Sequence, residues 1–151
     1  MHCSWKSWYL VACQDFNGEL MLVQGDAVGE WVSKKVNGEW FKNSSFAIGV
    51  LEDGKIVSGC VFDNYNIASV RGTIASDIPI KRAFIKAILD YPFNVLKVNC
   101  VLITVSSANT KSRKFVEKLG FKYLVSIPNA CKDGDMEIYS LVKQDCIKFM
   151  E

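Results

Sequence analysis

The sequence predicts an α/β fold of the α+β type: a mixed, mostly antiparallel sheet of about six to seven strands with helices on both faces. Three observations predict it. Two apolar runs joined through Asp53-Gly54 indicate a hairpin over residues 46–63. Apolar runs alternate with segments of helical spacing in the order ββ-α-βββ-α-β-α-ββ. The nearly continuous apolar run 98–105 predicts a central strand buried on both faces.

The first third of the chain predicts a hairpin and a helix. Short apolar runs on either side of Phe16-Asn17-Gly18 favour the hairpin. Helical spacing over 26–36 predicts the helix, which Asn37-Gly38 ends. Its apolar face consists of Val28, Trp31, Val32 and Val36. The four tryptophans, which either shape a binding pocket or pack in the core, are Trp5, Trp8, Trp31 and Trp40.

A second helix is predicted over residues 80–91, after a strand over 68–76. Pro79 suits the first turn of this helix, and Pro92 is expected to stop it. Ser76 and Asp77 are interpreted as its N-cap pair in preference to reactive groups. Its apolar face consists of Ile80, Phe84, Ala87, Ile88 and Tyr91.

A third helix follows the central strand, with Asn109 or Ser107 as its N-cap. Gly120 suits the left-handed position after its last turn. Two strands, 121–128 and 136–142, close the fold as an antiparallel pair. The core side of the helix consists of Phe115, Val116 and Leu119.

The composition predicts one globular domain over residues 1–151, because half of its 151 residues are hydrophobic and 23% are charged. No apolar run reaches the ~18 residues that a membrane helix requires, and the first residues make a poor signal peptide. A cytoplasmic protein that does not engage a membrane is therefore expected. The six cysteines contain no C-x-x-C pair and the one histidine is His2, which disfavours a metal site and histidine-based catalysis.

Positive charge is concentrated in one segment. Residues 78–122 contain nine basic and two acidic residues, a net charge of +7, whereas the rest of the chain carries −5. The basic residues crowd the starts of the two later helices, where free backbone N–H groups favour an anion. The pattern predicts an anion site here, with simple solvation of two helix faces as the alternative.

The order of the elements and one motif resemble the GNAT superfamily of acyl-CoA-dependent N-acyltransferases. The family pattern is approximately N-x-x-[AS]-x-x-[LF]-[YF]-x-x-x-G-[FW], which reads here Asn109, Ser112, Phe115, Val116, Gly120 and Phe121. The sequence is more similar still to compact, often phage-borne members, through Tyr91-Pro92-Phe93, through Asp63, Tyr65 and Asn66, and through a late Asp-Gly-Asp. The resemblance covers about residues 46–142 and leaves open a phage-encoded protein in the host cytoplasm.

The resemblance implies a splayed central pair of parallel strands, between which the pantetheine arm of acetyl-CoA or CoA lies as co-substrate. It assigns acyl-CoA binding to residues 46–142 and the acceptor side to residues 1–45. The pyrophosphate is expected at the N-terminus of the helix that begins near 79–83. The residues implied in cofactor binding are Thr73, Ile74, Ala75, Lys81, Arg82, Ala83, Asn109, Ser112 and Phe115.

Two positions depart from the family pattern. The pyrophosphate loop usually contains glycines, but residues 80–85 contain none. Either the backbone contacts to phosphate are weaker, or the side chains of Lys81 and Arg82 replace them. Val116 stands where the family has its general-acid tyrosine, so that another hydroxyl or solvent must protonate the departing thiolate.

Acyl transfer to an amine needs a base for the ammonium and donors for the oxyanion. Asp63, at the end of the hairpin, is the first candidate for the base, with capping of its own turn as the alternative. Tyr65 either donates to the thiolate, lines the acceptor pocket or packs as a turn aromatic. Arg71 points to the acceptor side or to solvent. Tyr139 faces the acceptor site or packs within the sheet.

The predicted function is transfer of an acyl group, expected to be acetyl, to an amine by direct attack in a ternary complex. The amine, on a small molecule or a protein, and the acyl chain length stay open. A GNAT-like enzyme of the Mom type, which modifies bases in nucleic acid, is less favoured because the basic residues lie in the cofactor half. A degenerate fold kept as a binding protein is the third alternative, and a homodimer is left open.

Overall fold

A computed structural model of the chain describes residues 10–12 and 20–151, with side chains from residue 21 onward. In this part of the chain the strands are β1 (Leu10–Ala12), β2 (Leu20–Gln24), β3 (Phe46–Glu52), β4 (Lys55–Asp63), β5 (Ser69–Ser76), β6 (Cys100–Ser106), β7 (Lys122–Cys131) and β8 (Gly134–Leu141). The helices are α1 (Asp26–Val36), α2 (Arg82–Asp90), α3 (Thr110–Leu119) and α4 (Lys143–Cys146). The predicted turn at Phe16-Asn17-Gly18 and the residues Trp5 and Trp8 lie outside the described residues.

The eight described strands form one sheet in the order β1-β2-β3-β4-β5-β6-β8-β7. Six neighbouring pairs are antiparallel, and the central pair β5–β6 is parallel. Parallel pairing follows from the long β5–α2–β6 connection, because a tight turn between the two strands cannot produce it. The predicted mixed, mostly antiparallel sheet with a central parallel pair is therefore confirmed.

Local signals place the first helix and the central hairpin. Asp53 and Gly54 have φ of 50° and 79°, as a tight hairpin turn requires, and they join β3 to β4. Helix α1 ends at Asn37, which adopts the left-handed conformation. Both elements lie where the sequence predicts them.

Helix α1 covers one face of the sheet over strands β2 to β5. Val28 and Val32 pack there with Ala47 and Val61 in a compact cluster. Trp40 packs on α1 at Gly29, and its indole N–H donates to Asp26 Oδ1 at 3.1 Å.

Helices α2 and α3 cover the opposite face, so that helices flank the sheet on both sides. Phe84 and Ile88 of α2 and Val116 and Leu119 of α3 are buried in one large core cluster with the inner residues of the sheet. Tyr91, which follows α2, stacks on Phe46 with ring centroids 4.4 Å apart. No helix in the described ranges is both long and apolar enough to cross a membrane.

The second helix differs from its prediction at both ends. It begins at Arg82, with Lys81 as N-cap and no side-chain cap, because Ser76 bonds to Ser58 and Ile78 and because Asp77 pairs with Lys35. Pro92 does not end the helical conformation of the chain. A π-helical turn over Tyr91–Val95 widens the backbone around the proline, with Leu96 N–H donating to Tyr91 O at 2.9 Å.

Strand β6 is buried on one face only, contrary to the prediction from its apolar run. Val101, Ile103 and Val105 are buried beneath α2 and α3. On the other face Leu102 is half-buried and Thr104 is exposed. Helix α1 packs over β2 to β5, which leaves this face of β6 open beside it.

Candidate functional site

The parallel strands β5 and β6 separate after a short region of pairing. Three residue pairs connect them, of which Arg71 with Leu102 is the last. Beyond that pair β5 continues to Ser76 and β6 to Ser106. Each keeps its antiparallel partner on the outer side, but no described strand lies between them. The result is a gap that widens toward the carboxyl ends of both strands.

Backbone groups of β5 face this gap. Asp77 N–H donates to Val57 O of β4 at 2.8 Å, so the peptide groups of Asp77 point toward β4. Because successive residues of a strand direct N–H and C=O to opposite neighbours, Ile74 directs its peptide groups toward the gap. Thr73 and Ala75 direct theirs to β4. Of the three residues predicted on this edge, Ile74 is therefore the one whose backbone can pair with an extended ligand.

The N-terminus of α2 lies directly after β5 and is uncapped. No side chain accepts a hydrogen bond from its first turn, and that turn contains no acidic residue. The first amide groups of a helix have no partner within the helix, so they are available to an anion. Lys81 and Arg82 are exposed at this end, whereas Ala83 is buried against the core. This end of α2 therefore presents backbone and cationic donors that could hold an anion, although it contains no glycine.

The neighbouring negative charge is already neutralised. Asp77, between β5 and α2, pairs with Lys35 of α1 at 2.7 Å. Lys35 also lies 5.1 Å from the centre of the Trp31 ring. The cationic groups of Lys81 and Arg82 are therefore not opposed by Asp77, and the end of α2 carries a net positive field.

Helix α3 begins on the other side of the gap, after β6. The Asn109 side chain accepts a hydrogen bond from Ser112 N–H at 3.1 Å, which confirms it as the N-cap in preference to Ser107. Ser107 instead accepts from Asp135 N–H at 2.9 Å. Phe115 is half-buried against the core one turn further along. The two helices thus begin from the two strands that diverge, on the same face of the sheet.

A cavity of about 320 Å³ lies on the α1 face, where the gap begins. Its floor is formed by the ends of β4 and β5, and its wall by the connection between α1 and β3. The lining residues are Phe41, Asn43, Ser44, Ser45, Asp63, Asn64, Tyr65 and Arg71. Asp63 and Tyr65, the predicted catalytic pair, are therefore brought together in one cavity.

An ion pair forms the charged part of this cavity. Arg71 Nε lies 2.8 Å from Asp63 Oδ1, and Arg71 Nη2 lies 2.8 Å from Asp63 Oδ2. This hydrogen bonding raises the pKa of Arg71 above its ordinary value, so the guanidinium stays charged. Each carboxylate oxygen retains a second lone pair for another donor. Asp63 does not cap its own turn; Asn66 does, accepting from Ala68 and Ser69 N–H.

Of the two placements that the sequence leaves open for Tyr139, at the acceptor site or packed within the sheet, the structure shows the second. Val116 is buried, as is Tyr139, whose hydroxyl donates to Glu117 Oε1 of α3 at 3.3 Å. Burial raises the pKa of Tyr139. The side chain extends from β8 toward α3, with Tyr123 edge-on at 5.8 Å, and it does not line the cavity. Tyr65 is the hydroxyl-bearing aromatic that does.

The resemblance assigned residues 1–45 to the acceptor side, but no motif singled out the four of them that line the cavity. Only the folding of the α1–β3 connection over the end of β4 brings Phe41, Asn43, Ser44 and Ser45 there. The sequence did single out Arg71, as a residue that points either to the acceptor side or to solvent. The β4–β5 register places it directly opposite Asp63, which lies eight residues earlier in the chain.

These features define a fold: a mixed sheet with a central parallel pair that splays, and two helix N-termini at the divergent strand ends. It is the fold of the GNAT superfamily of acyltransferases, and the comparisons with solved structures confirm it. A structure of mutant forms of the spermidine/spermine N-acetyltransferase SpeG from Vibrio cholerae is similar, with a TM-score of 0.72 over 89% of this chain and 100% of that one at 15% identity.

Two further solved structures share the fold. A probable acetyltransferase has a TM-score of 0.66 at 16% identity, over 89% of this chain and 98% of its own. The ribosomal-protein-S5-alanine acetyltransferase from Vibrio fischeri has a TM-score of 0.60 at 18% identity, over 69% and 64%. No family model matches the sequence, and no curated protein does.

Proposed function

We propose that the protein is an acyl-CoA-dependent N-acyltransferase that uses acetyl-CoA and transfers the acetyl group to an amine by direct attack. The observation that supports this most strongly is the gap after Arg71 and Leu102, with an uncapped, basic helix N-terminus at its wide end. A pantetheine arm needs an unpaired strand edge, and a pyrophosphate needs backbone and cationic donors. The chain offers both on consecutive segments.

The residues proposed to hold the co-substrate fall into three groups. Ile74, with Thr73 and Ala75 beside it, provides the strand edge. Lys81, Arg82 and the amides up to Ala83 bind the pyrophosphate. On the opposite wall the residues are Asn109, Ser112 and Phe115.

Bound acetyl-CoA supplies an activated thioester carbonyl, so no metal or covalent nucleophile on the protein is required. Asp63 accepts a hydrogen bond from the incoming ammonium and takes its proton, since it is the one carboxylate that lines the described cavity. Tyr65 donates to the leaving thiolate or orients the acceptor. Arg71 holds Asp63 in a single orientation through two hydrogen bonds.

The names of the similar structures include a polyamine and a protein alanine as acceptors. They support an amine as the acceptor class in general.

The test combines binding with turnover. Calorimetric titration with acetyl-CoA and with CoA at two salt concentrations should show saturable binding that weakens with salt, because exposed charges are screened. A thiol-release assay with a panel of amines should then show turnover. Folded protein, free of copurified CoA, that binds neither ligand would contradict the proposal and favour a fold kept as a binding protein.

A further inference from the structure

The charges around the acceptor cavity cancel. Of the eight residues that line it, Asp63 and Arg71 are charged and pair with each other, whereas the other six are neutral. A polycationic acceptor needs more than one free carboxylate, and this lining offers one that is already paired. The cavity instead suits a molecule whose own charges cancel.

The exposed half of the ion pair is the cation. The Arg71 side chain retains 43% of its exposure, compared with 18% for Asp63. A guanidinium has five N–H donors, and two of those of Arg71 are directed to Asp63. The remaining donors are available to a second carboxylate, and the planar fork matches that group well.

Resting on the proposed function, we propose that the acceptor is a small amine that also carries a carboxylate, of the α-amino acid class, and that Arg71 binds its carboxylate. The ammonium of such a zwitterion lies against Asp63 while its carboxylate lies against the free edge of Arg71. The side-chain amides and hydroxyls of Asn43, Ser44 and Asn64 bind its polar substituents. The volume of about 320 Å³ is at the lower end of the ~300–1,000 Å³ typical of small-molecule sites.

The position of Arg71 connects this specificity to the reaction. It is the last residue of β5 that pairs with β6, so a molecule held by it lies at the start of the gap. The ammonium first loses a proton to Asp63, which passes it to solvent. The amine nitrogen then forms a bond to the carbonyl carbon, the carbon–sulfur bond breaks with its electron pair on sulfur, and the second nitrogen proton ends on the thiolate. The products are an N-acetyl amino acid and the free thiol.

The experiment compares each L-amino acid with its own primary amide, and with spermidine, in the thiol-release assay with acetyl-CoA. The amide keeps the amine and the side chain and replaces the carboxylate with a neutral group; its amine is also the less basic of the two, which favours the amide and makes a preference for the acid the stricter result. We expect kcat/KM for the acids to exceed that for the amides by about tenfold or more, the equivalent of a lost charge-assisted contact. In Arg71→Gln the ratio of kcat/KM for acids to kcat/KM for amides should fall toward one, because the loss of the Asp63 orientation affects both substrates and cancels in this ratio. Lys42→Gln, which removes a nearby exposed cation outside the cavity, is the matched control.

The outcomes separate this inference from the proposed function. Turnover of amides or spermidine equal to that of the acids would overturn the inference and leave the acyltransferase intact. If no amine is turned over, calorimetric titration with each of the same L-amino acids in the presence of CoA decides. Binding that is weakened in Arg71→Gln and unchanged in Lys42→Gln supports the carboxylate site while the acetyl transfer fails; absence of binding overturns both. If Arg71→Gln does not fold, the acid–amide comparison on the natural protein still decides.

Discussion

Gly49 and Gly59 face each other on the neighbouring strands β3 and β4, directly beneath helix α1. A Cβ on Gly59 would lie 2.5 Å from Val32 Cγ2, and one on Gly49 would lie 2.8 Å from both Val28 Cγ1 and the carbonyl oxygen of Ser58. The two glycines therefore allow α1 to approach the sheet closely. This approach positions the α1–β3 connection, which forms one wall of the cavity.

Gly59→Ala should destabilise the protein by about 1–3 kcal/mol, the usual cost of overpacking a core. The added methyl group forces α1 away from the sheet, because its nearest neighbours are buried valine side chains. Urea unfolding followed by circular dichroism measures the change. Gly38→Ala is the control, since its Cβ meets only Val36 at an ordinary 3.5 Å and should change stability by less than about 0.5 kcal/mol. Equal stability of the two variants would contradict the close approach.

Lys81→Ala combined with Arg82→Ala should raise the Kd for CoA by about 5- to 30-fold, the equivalent of about 1–2 kcal/mol of charge-assisted hydrogen bonding. Both side chains are exposed, so stability should change little. Calorimetry at low and high salt provides the measurement, and the salt dependence should decrease in the double variant. Lys34→Ala combined with Lys55→Ala removes the same charge from exposed positions elsewhere and should leave CoA binding unchanged. A loss of affinity of the same size in both double variants would argue for a diffuse charge effect instead of a pyrophosphate site.

Asn109 has two proposed roles that one pair of variants separates. Asn109→Ala removes the cap of α3 and should lower the free energy of unfolding by about 1 kcal/mol. Asn109→Ser restores a capping oxygen and should recover most of that stability. If the Asn109 amide also binds pantetheine, both variants should bind CoA less tightly. Full CoA affinity in Asn109→Ser would restrict Asn109 to its role as a cap.

Cys146 should make stability depend on pH under alkaline conditions. Burial raises the pKa of its thiol from 9.0 to about 11, so the folded state holds the proton more tightly than the unfolded state does. The stabilisation is complete below pH 9 and is lost as the pH rises through about 11. Chemical unfolding across this range should show a decrease in the free energy of unfolding. Cys146→Ala should have a smaller decrease, and an identical pH profile for the two proteins would contradict the assignment.

Patterns within a few residues predicted most of the elements. The Asp53-Gly54 turn, the Asn109 cap and the left-handed Gly120 lie where the sequence indicated, because each depends on local backbone preferences. The second helix was predicted to begin at residue 80 and to stop at Pro92. It begins at Arg82, and the helical conformation continues to Val95. Ser76 and Asp77 form hydrogen bonds outside the helix, and the chain absorbs Pro92 in a wider turn.

In the candidate site, too, local patterns identified some of the residues and only the tertiary structure identified the others. Asp63 and Tyr65 could be selected from the sequence because they end a predicted hairpin, and Lys81 and Arg82 because they begin a helix after a strand. The pairing of Asp63 with Arg71 required the register of β4 with β5, which places the two residues opposite each other. Within residues 1–45, the wall residues Phe41, Asn43, Ser44 and Ser45 could not be singled out, because no local pattern marks a connection that folds over a distant strand end.

The sequence by itself determined the order of strands and helices, the concentration of positive charge in residues 78–122 and the resemblance to an acyltransferase fold, since these depend on composition and short-range periodicity. The tertiary structure alone decided which face of β6 stays open, where β5 and β6 separate and which side chains meet in the cavity. Those features depend on packing between segments far apart in the chain. The apolar run 98–105, for example, has the same sequence pattern whether helices cover one face of the strand or both faces.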